Sequence, residues 1–346
     1  MPPRPARSLA ILVLLAVGAA VFGVLASLAR EPLGDAPLAV EASPVPLDAS
    51  DPARDRVGPL LYLGGLWLRS PDPRFGGLSD LRVSPDGARL LAVSDCGYGF
   101  TAALSYDAEG RLAGLAAPRL VSLVDAAGRP LGRNVADAES LVLGDGLEVG
   151  FEGRGKIRAY ATEPAFAGPA RALGVPAGLG GCGRNGGLET MADSGDGRRL
   201  LVCEGRRGPS STVPAWVGRG DAWQAREYPL AFEGGWGGEP FRPTGAARLP
   251  DGDLLVLERR FPPAGARLAR IPRPQLEGAS AFDPREVARI EAPLTIDNFE
   301  GVDARRDAAG RTLVYLLSDD NGCAKTGSGG RRSLQRTLLL LFALAG

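Results

Sequence analysis

GGLSDLRVSPDGARLLAVSD (residues 76–95), DAESLVLGDGLEVGFE (137–152), NGGLETMADSGDGRRLLVCE (185–204), RPTGAARLPDGDLLVLE (242–258) and DNFEGVDARRDAAGRTLVYLLSD (297–319) are five versions of one design. Each joins a short apolar strand to a second, more strongly apolar strand through a tight glycine turn. The turns are Asp86-Gly87, Asp145-Gly146, Asp196-Gly197, Asp251-Gly252 and Ala309-Gly310, and Asp-Gly between apolar runs is a strong hairpin signal. The second strands (RLLAVS, LEVGF, RLLVC, DLLVL, TLVYLL) are nearly continuous apolar runs. Such strands must be covered on both faces, which a lone hairpin cannot achieve but a stack of similar sheets can.

A repeat of this kind, spaced at 40 to 60 residues, signals a propeller or a solenoid. Closing the stack into a ring also hides the sheet edges that would otherwise pair with other chains. The expected fold is therefore all-β, a β-propeller with five visible repeats and hence five or six blades. Segments 103–107, 156–162, 225–230 and 266–272 supply outer strands. After the fifth repeat only QRTLLLLFALAG (335–346) remains, enough for one strand. GPLLYLGGLWL (58–68) precedes the first repeat and has strand character. Pairing of these N- and C-terminal strands is expected to complete the last blade and lock the ring.

Outside the repeats, residues 1–29 begin with Arg4 and Arg7 and continue as an uncharged apolar run from about Leu9 to Leu28. This reads as a signal peptide with a small-x-small cleavage site at Ser27 and Ala29, or as an N-terminal membrane anchor over residues 8–28. Residues 30–56, rich in Pro, Ala and Asp, read as a linker, and residues 57–346 as the propeller domain. A periplasmic or secreted location follows, with the membrane met only through the leader. A ring closed within one chain is expected to act as a monomer.

Composition removes whole classes of chemistry. The chain has no histidine, so it holds no Ser-His-Asp triad, Cys-His pair or His-ligated zinc; acid and base work falls to carboxylates, Tyr, Lys or water. Forty basic residues balance forty acidic ones, and all the bases but Lys156 and Lys325 are Arg. With no net positive field, nucleic acid is not an expected partner. Four cysteines in an exported chain are expected to pair. Three connectivities exist, and the repeat pattern favours Cys182 with Cys203 and Cys96 with Cys323; a metal cluster is the alternative.

Antiparallel pairing brings the start of each first strand and the end of each second strand to one end of the hairpin. The starts carry Ser79, Glu139, Glu189, Thr244 and Glu300; the ends carry Asp95, Glu152, Glu204, Glu258 and Asp319. In a ring these carboxylates crowd one channel mouth, where repulsion calls for cations. Ca²⁺ takes carboxylate and carbonyl oxygens and needs no histidine. Arg154, Arg206, Arg259 and Arg260 follow the second strands and are expected to steady a small anionic ligand. Glu139, Glu189 and Glu300 are the candidate catalytic residues, with Asp95, Glu152, Glu204, Glu258 and Asp319 as candidate metal ligands.

FGGLSDLRVSPDG (75–87), DAESL (137–141), NGGLET (185–190), PTGAARLPDGDLLVLERRF (243–261), DNFEG (297–301), LLSDDN (316–321) and QRTLLLLF (335–342) occur in an order that resembles the bacterial phytase-like family, the propeller labelled for an esterase-like activity of phytase. The resemblance implies an exported propeller that hydrolyses phosphate or other esters. The dense Asp-rich signature of the calcium-dependent propeller phytases is not present. Three functions follow as expectations: a metal-dependent ester hydrolase, a non-catalytic periplasmic propeller that binds a ligand or protein, and a lactonase-type sugar propeller.

Overall fold

The structure, a computed structural model, describes residues 36–132, 135–144, 146–152, 155–182, 187–205, 210–233, 238–278, 280–322 and 334–345. Among them the strands form five antiparallel blades, each with its innermost strand taken from the start of one repeat. These innermost strands are Leu78–Val83, Ala138–Gly144, Leu188–Asp193, Arg242–Arg248 and Phe299–Arg306. Each lies beside the next, and the fifth lies against the first, so the ring is continuous. There is no sixth blade among the described residues.

The second strands are Arg89–Ser94, Gly146–Phe151, Arg199–Cys203, Leu254–Arg260 and Thr312–Ser318. Their double-sided apolar character is explained by five hydrophobic clusters, one in each gap between neighbouring blades. Side chains alternate between gaps along a strand. Leu255 and Leu257 thus face blade 5, while Leu254 and Val256 face blade 3. Gly87, Gly197, Gly252 and Gly310 all close their turns at positive φ, between 81° and 98°, where a Cβ would be strained.

Blade 5 is completed across the chain ends. Thr337–Leu344 pairs antiparallel with both Thr312–Ser318 and Leu60–Arg69. Part of the segment expected as linker also joins the sheets: Ala36–Pro37 pairs with the outer strand of blade 1, Leu112–Ser122, and Glu41–Pro44 pairs with Leu60–Arg69 of blade 5. The stretch 36–44 therefore straps the first blade to the last. Residues 1–35 lie outside the described residues, and with them the expected leader. No helix among the described residues is long and apolar enough to cross a membrane.

The central channel is blocked partway along its length by Arg82 on the innermost strand of blade 1. Its guanidinium donates to the carbonyl oxygens of Met191 at 3.2 Å, Ala246 at 3.1 Å and Val302 at 3.0 Å, one each from blades 3, 4 and 5. Arg82 thereby lies between the two mouths of the channel.

Candidate functional site: a bulge-built carboxylate mouth

In every blade the pairing of the innermost strand with its neighbour skips one residue. Leu78 faces Ser94 and Asp80 faces Val93; Leu188 faces Cys203 and Thr190 faces Val202. Phe299 faces Ser318 and Gly301 faces Leu317. Blades 2 and 4 repeat the pattern. The extra residues of these five β-bulges are Ser79, Glu139, Glu189, Thr244 and Glu300, all buried. A bulge breaks the two-residue alternation and turns the additional side chain out of the sheet's regular pattern. Here it brings Glu139, Glu189 and Glu300 to one end of the ring, close enough for Glu139 to feel the charges of the other two.

A second tier comes from the residues that follow the second strands. Asp95, Glu152, Glu204 and Asp319 each donate their backbone N–H to a carbonyl just ahead of the innermost strand of the same blade, Gly77, Asp137, Gly187 and Asn298 respectively. That third position adds Asp137 and Asn298 to the mouth. The carboxylate oxygens of Asp137, Glu139 and Glu152 lie within 4.8 Å of one another. Glu152 also accepts the backbone N–H of Gly187 at 3.3 Å, which ties blade 2 to blade 3.

Crowding and burial reshape the acidities. Burial, reinforced by Asp137, Glu300 and Asp320, pushes the Asp95 carboxyl up to about 8. Burial and a hydrogen bond with Asp137 push Glu152 up to about 7. Burial likewise raises Glu139, beside Glu189 and Glu300, and Asp319, beside Glu300 and Asp95, well above the ordinary carboxylate range. Glu189 rises for the same reason, with the charges of Glu204 and Glu300 adding to burial and Arg259 opposing. Asp95 Oδ1 is buried and has no hydrogen-bond partner. Carboxylates held this close are hard oxygen donors of the kind a divalent cation takes, and their weakened acidities express the absence of a compensating charge.

Among the described residues the basic side chain that pairs with these carboxylates is Arg259. It donates to Asn298 Oδ1 at 2.6 Å and to Glu204 Oε1 at 3.1 Å, and stands 3.4 Å from Glu300 Oε1. Burial works against its charge, but Glu300, Glu204, Glu189 and Asp319 outweigh that and hold it firmly protonated. Asn298 also donates to Glu300 Oε1 at 2.8 Å, fixing that carboxylate.

Two expected members of the mouth are elsewhere. Glu258 pairs with Pro243, the position held by Ser94, Phe151, Cys203 and Ser318 in the other blades. It therefore faces the gap toward blade 3, where it accepts from Tyr228 and Arg267, each at 2.5 Å. The blade 4 member of the second tier is Arg259, one residue on. A slip of one residue reverses the facing of a strand side chain, and the acidic run of the other blades obscured it. Arg260 faces away as well; it pairs with Glu233, binds Glu291 at 2.7 Å and stacks over Phe241. Arg154 and Arg206 lie outside the described residues. Asp137 was legible in the DAESL motif but not singled out.

Cys182 and Cys203 are bonded, with Cα atoms 5.7 Å apart, and the bond immediately precedes Glu204. The pairing expected for Cys96 falls on Cys323, which lies outside the described residues.

Fold and site together define a five-bladed propeller with a carboxylate-lined channel mouth. The family model described as Phytase-like, esterase-like activity of phytase, matches residues 73–322, and the chain belongs to that family. No curated protein matches it. Among solved structures it is similar to RRP9 WD40 repeats, at 12% identity over 88% of this chain and 100% of that one with a TM-score of 0.41. It is also similar to a gluconolactonase from Xanthomonas campestris, at 12% identity over 91% and 99% with a TM-score of 0.38. A third similarity is to the catalytic domain of the Coprinopsis cinerea GH62 alpha-L-arabinofuranosidase, at 13% identity over 89% and 97% with a TM-score of 0.43. Likenesses this remote carry no inference about activity.

Proposed function

We propose that this protein is an exported, metal-dependent hydrolase of phosphate or other esters, working at the carboxylate mouth with Ca²⁺ as the favoured ion. The observation that carries the reading is the approach of Asp137, Glu139 and Glu152 within 4.8 Å beside the unpartnered buried oxygen of Asp95. Hard oxygen donors in this number suit Ca²⁺, and these four residues would hold it. When bound, such an ion polarises a phosphoryl or carbonyl oxygen and makes a coordinated water more acidic.

The chain's own groups supply the rest. Glu189 is buried with its acidity weakened by burial and by Glu204, and a carboxyl that holds its proton more tightly than usual suits donation to a departing alkoxide. Glu300, fixed by Asn298 and Arg259, holds its oxygen toward the reacting centre. Arg259 offsets negative charge as an anionic substrate enters. With no histidine in the chain, these carboxylates carry the proton transfers. Export through the residue 1–29 leader places the site in the periplasm or outside the cell, where Ca²⁺ is available.

The test is to assay the purified chain against p-nitrophenyl phosphate, phytate, p-nitrophenyl acetate and gluconolactone, with Ca²⁺ and with EDTA. Turnover that needs Ca²⁺ and is lost in Glu189→Gln is expected. Absence of turnover on every substrate under both conditions refutes the hydrolase; calcium binding without turnover then makes this a ligand-binding propeller.

A further inference from the structure

At the opposite end of the channel lies a second concavity of about 320 Å³, lined from all five blades and floored by Arg82. The small residues Ala192, Ala246, Ala247 and Ala304 keep it open, and at its wall Leu143 is 47% exposed, an unusual state for a leucine on an innermost strand. Its size falls at the lower end of the range for small-molecule sites.

The charges there are unequal. Arg248 and Arg306 stand at the rim against Asp193 and Asp303, while the Arg305 guanidinium is turned away onto Tyr315 at 3.0 Å. Asp193 is already bonded by Arg199 at 2.9 Å, and Arg248 is 3.9 Å from its far oxygen. Asp303 is buried and accepts the Val83 backbone N–H at 2.6 Å, so its charge is spent inside the ring. Arg248 is 44% exposed. Positive charge on the rim, apolar walls and a closed polar floor are the makings of a site for an anion with an apolar body.

We infer that this second mouth binds a small organic anion, a carboxylate or phosphate monoester carrying a compact apolar group, independently of the carboxylate mouth. Arg248 and Arg306 would meet the anionic head, and Leu143 the apolar body.

Isothermal titration in EDTA, which silences the carboxylate mouth, tests it with benzoate and phenyl phosphate, and with benzyl alcohol as the neutral control. Saturable binding of one or both anions and at least tenfold weaker binding of the alcohol are expected. Binding of the anion should fall at least tenfold in Arg248→Ala/Arg306→Ala and in Leu143→Glu, all exposed positions whose folding can be checked by circular dichroism. It should persist in Glu189→Gln, which separates this site from the other mouth. Neither anion binding at millimolar concentration, equal binding of the alcohol, or indifference of folded variants overturns the inference.

Discussion

Arg82 Nη1 lies 3.2 Å from Asp80 Oδ1 on the innermost strand of blade 1, and this buried pair reaches the backbone of all four other blades. While Arg82 donates to blades 3, 4 and 5, Asp80 Oδ2 accepts the Leu141 N–H of blade 2 at 2.8 Å. The pair is the hub of the ring.

Removing the guanidinium should be severe. Arg82→Met leaves the buried Asp80 without its counter-ion and strips a donor from three interior carbonyls, and breaking such a pair costs about 3–5 kcal/mol. The midpoint of urea unfolding should fall accordingly. A midpoint within error of the parent would show that the hub does not hold the blades together.

The mouth should behave in the opposite way when it lacks metal. Glu139→Gln removes one of several crowded carboxylates whose burial and mutual repulsion oppose ionisation, so the melting temperature in EDTA should rise. The added stabilisation from Ca²⁺, about 2.7 kcal/mol at a hundredfold excess over Kd for an intact site, should shrink. Melting scans with and without Ca²⁺ measure both.

Stability without metal should also fall as pH rises. Asp95 and Glu152 are raised in the folded state to about 8 and about 7, above their ordinary values near 4. A folded state that binds protons more tightly than the unfolded chain is favoured at low pH and loses that advantage through the folded pKa. Between pH 5 and 9 the melting temperature in EDTA should decline, most steeply between about 5 and 7 where only the folded chain holds these protons, and level off above about 8; Ca²⁺ should flatten the curve. A rise across that window would contradict the electrostatics of the mouth.

Glu258 provides the contrast. Glu258→Gln disturbs a fully buried carboxylate bound by Arg267 and Tyr228 and should cost about 3 kcal/mol of stability. The calcium-induced shift in melting should stay at the parent value, since this side chain faces the gap between blades 3 and 4. Loss of the shift in a folded variant would return Glu258 to the mouth.

Much of this molecule is legible in its residues alone. The five glycine turns marked five hairpins, and the doubly apolar second strands required neighbours on both sides, which a ring supplies. The strand character of residues 58–68 and 335–346 pointed to their pairing, and Leu60–Arg69 pairs with Thr337–Leu344. Residue types at the mouth were legible too, since Glu139, Glu189 and Glu300 recur at one position of the repeat. Arg260 and Glu258 were misplaced because acidic and basic residues sit side by side in LERR, and composition does not say which of them faces which gap.

Hydrophobic pattern and turn chemistry act over a few residues, so they determined the hairpins, their number and the need for a closed stack. Facing depends on hydrogen-bond register, and a β-bulge shifts that register by one residue without altering the pattern of apolar letters. Only the assembled ring therefore decided that Glu139, Glu189 and Glu300 turn into a common mouth, that Arg259 rather than Glu258 joins them, and that Arg82 lies between the two mouths of the channel. Those outcomes depend on pairing and on contacts between blades more than a hundred residues apart, which no local stretch of chain contains.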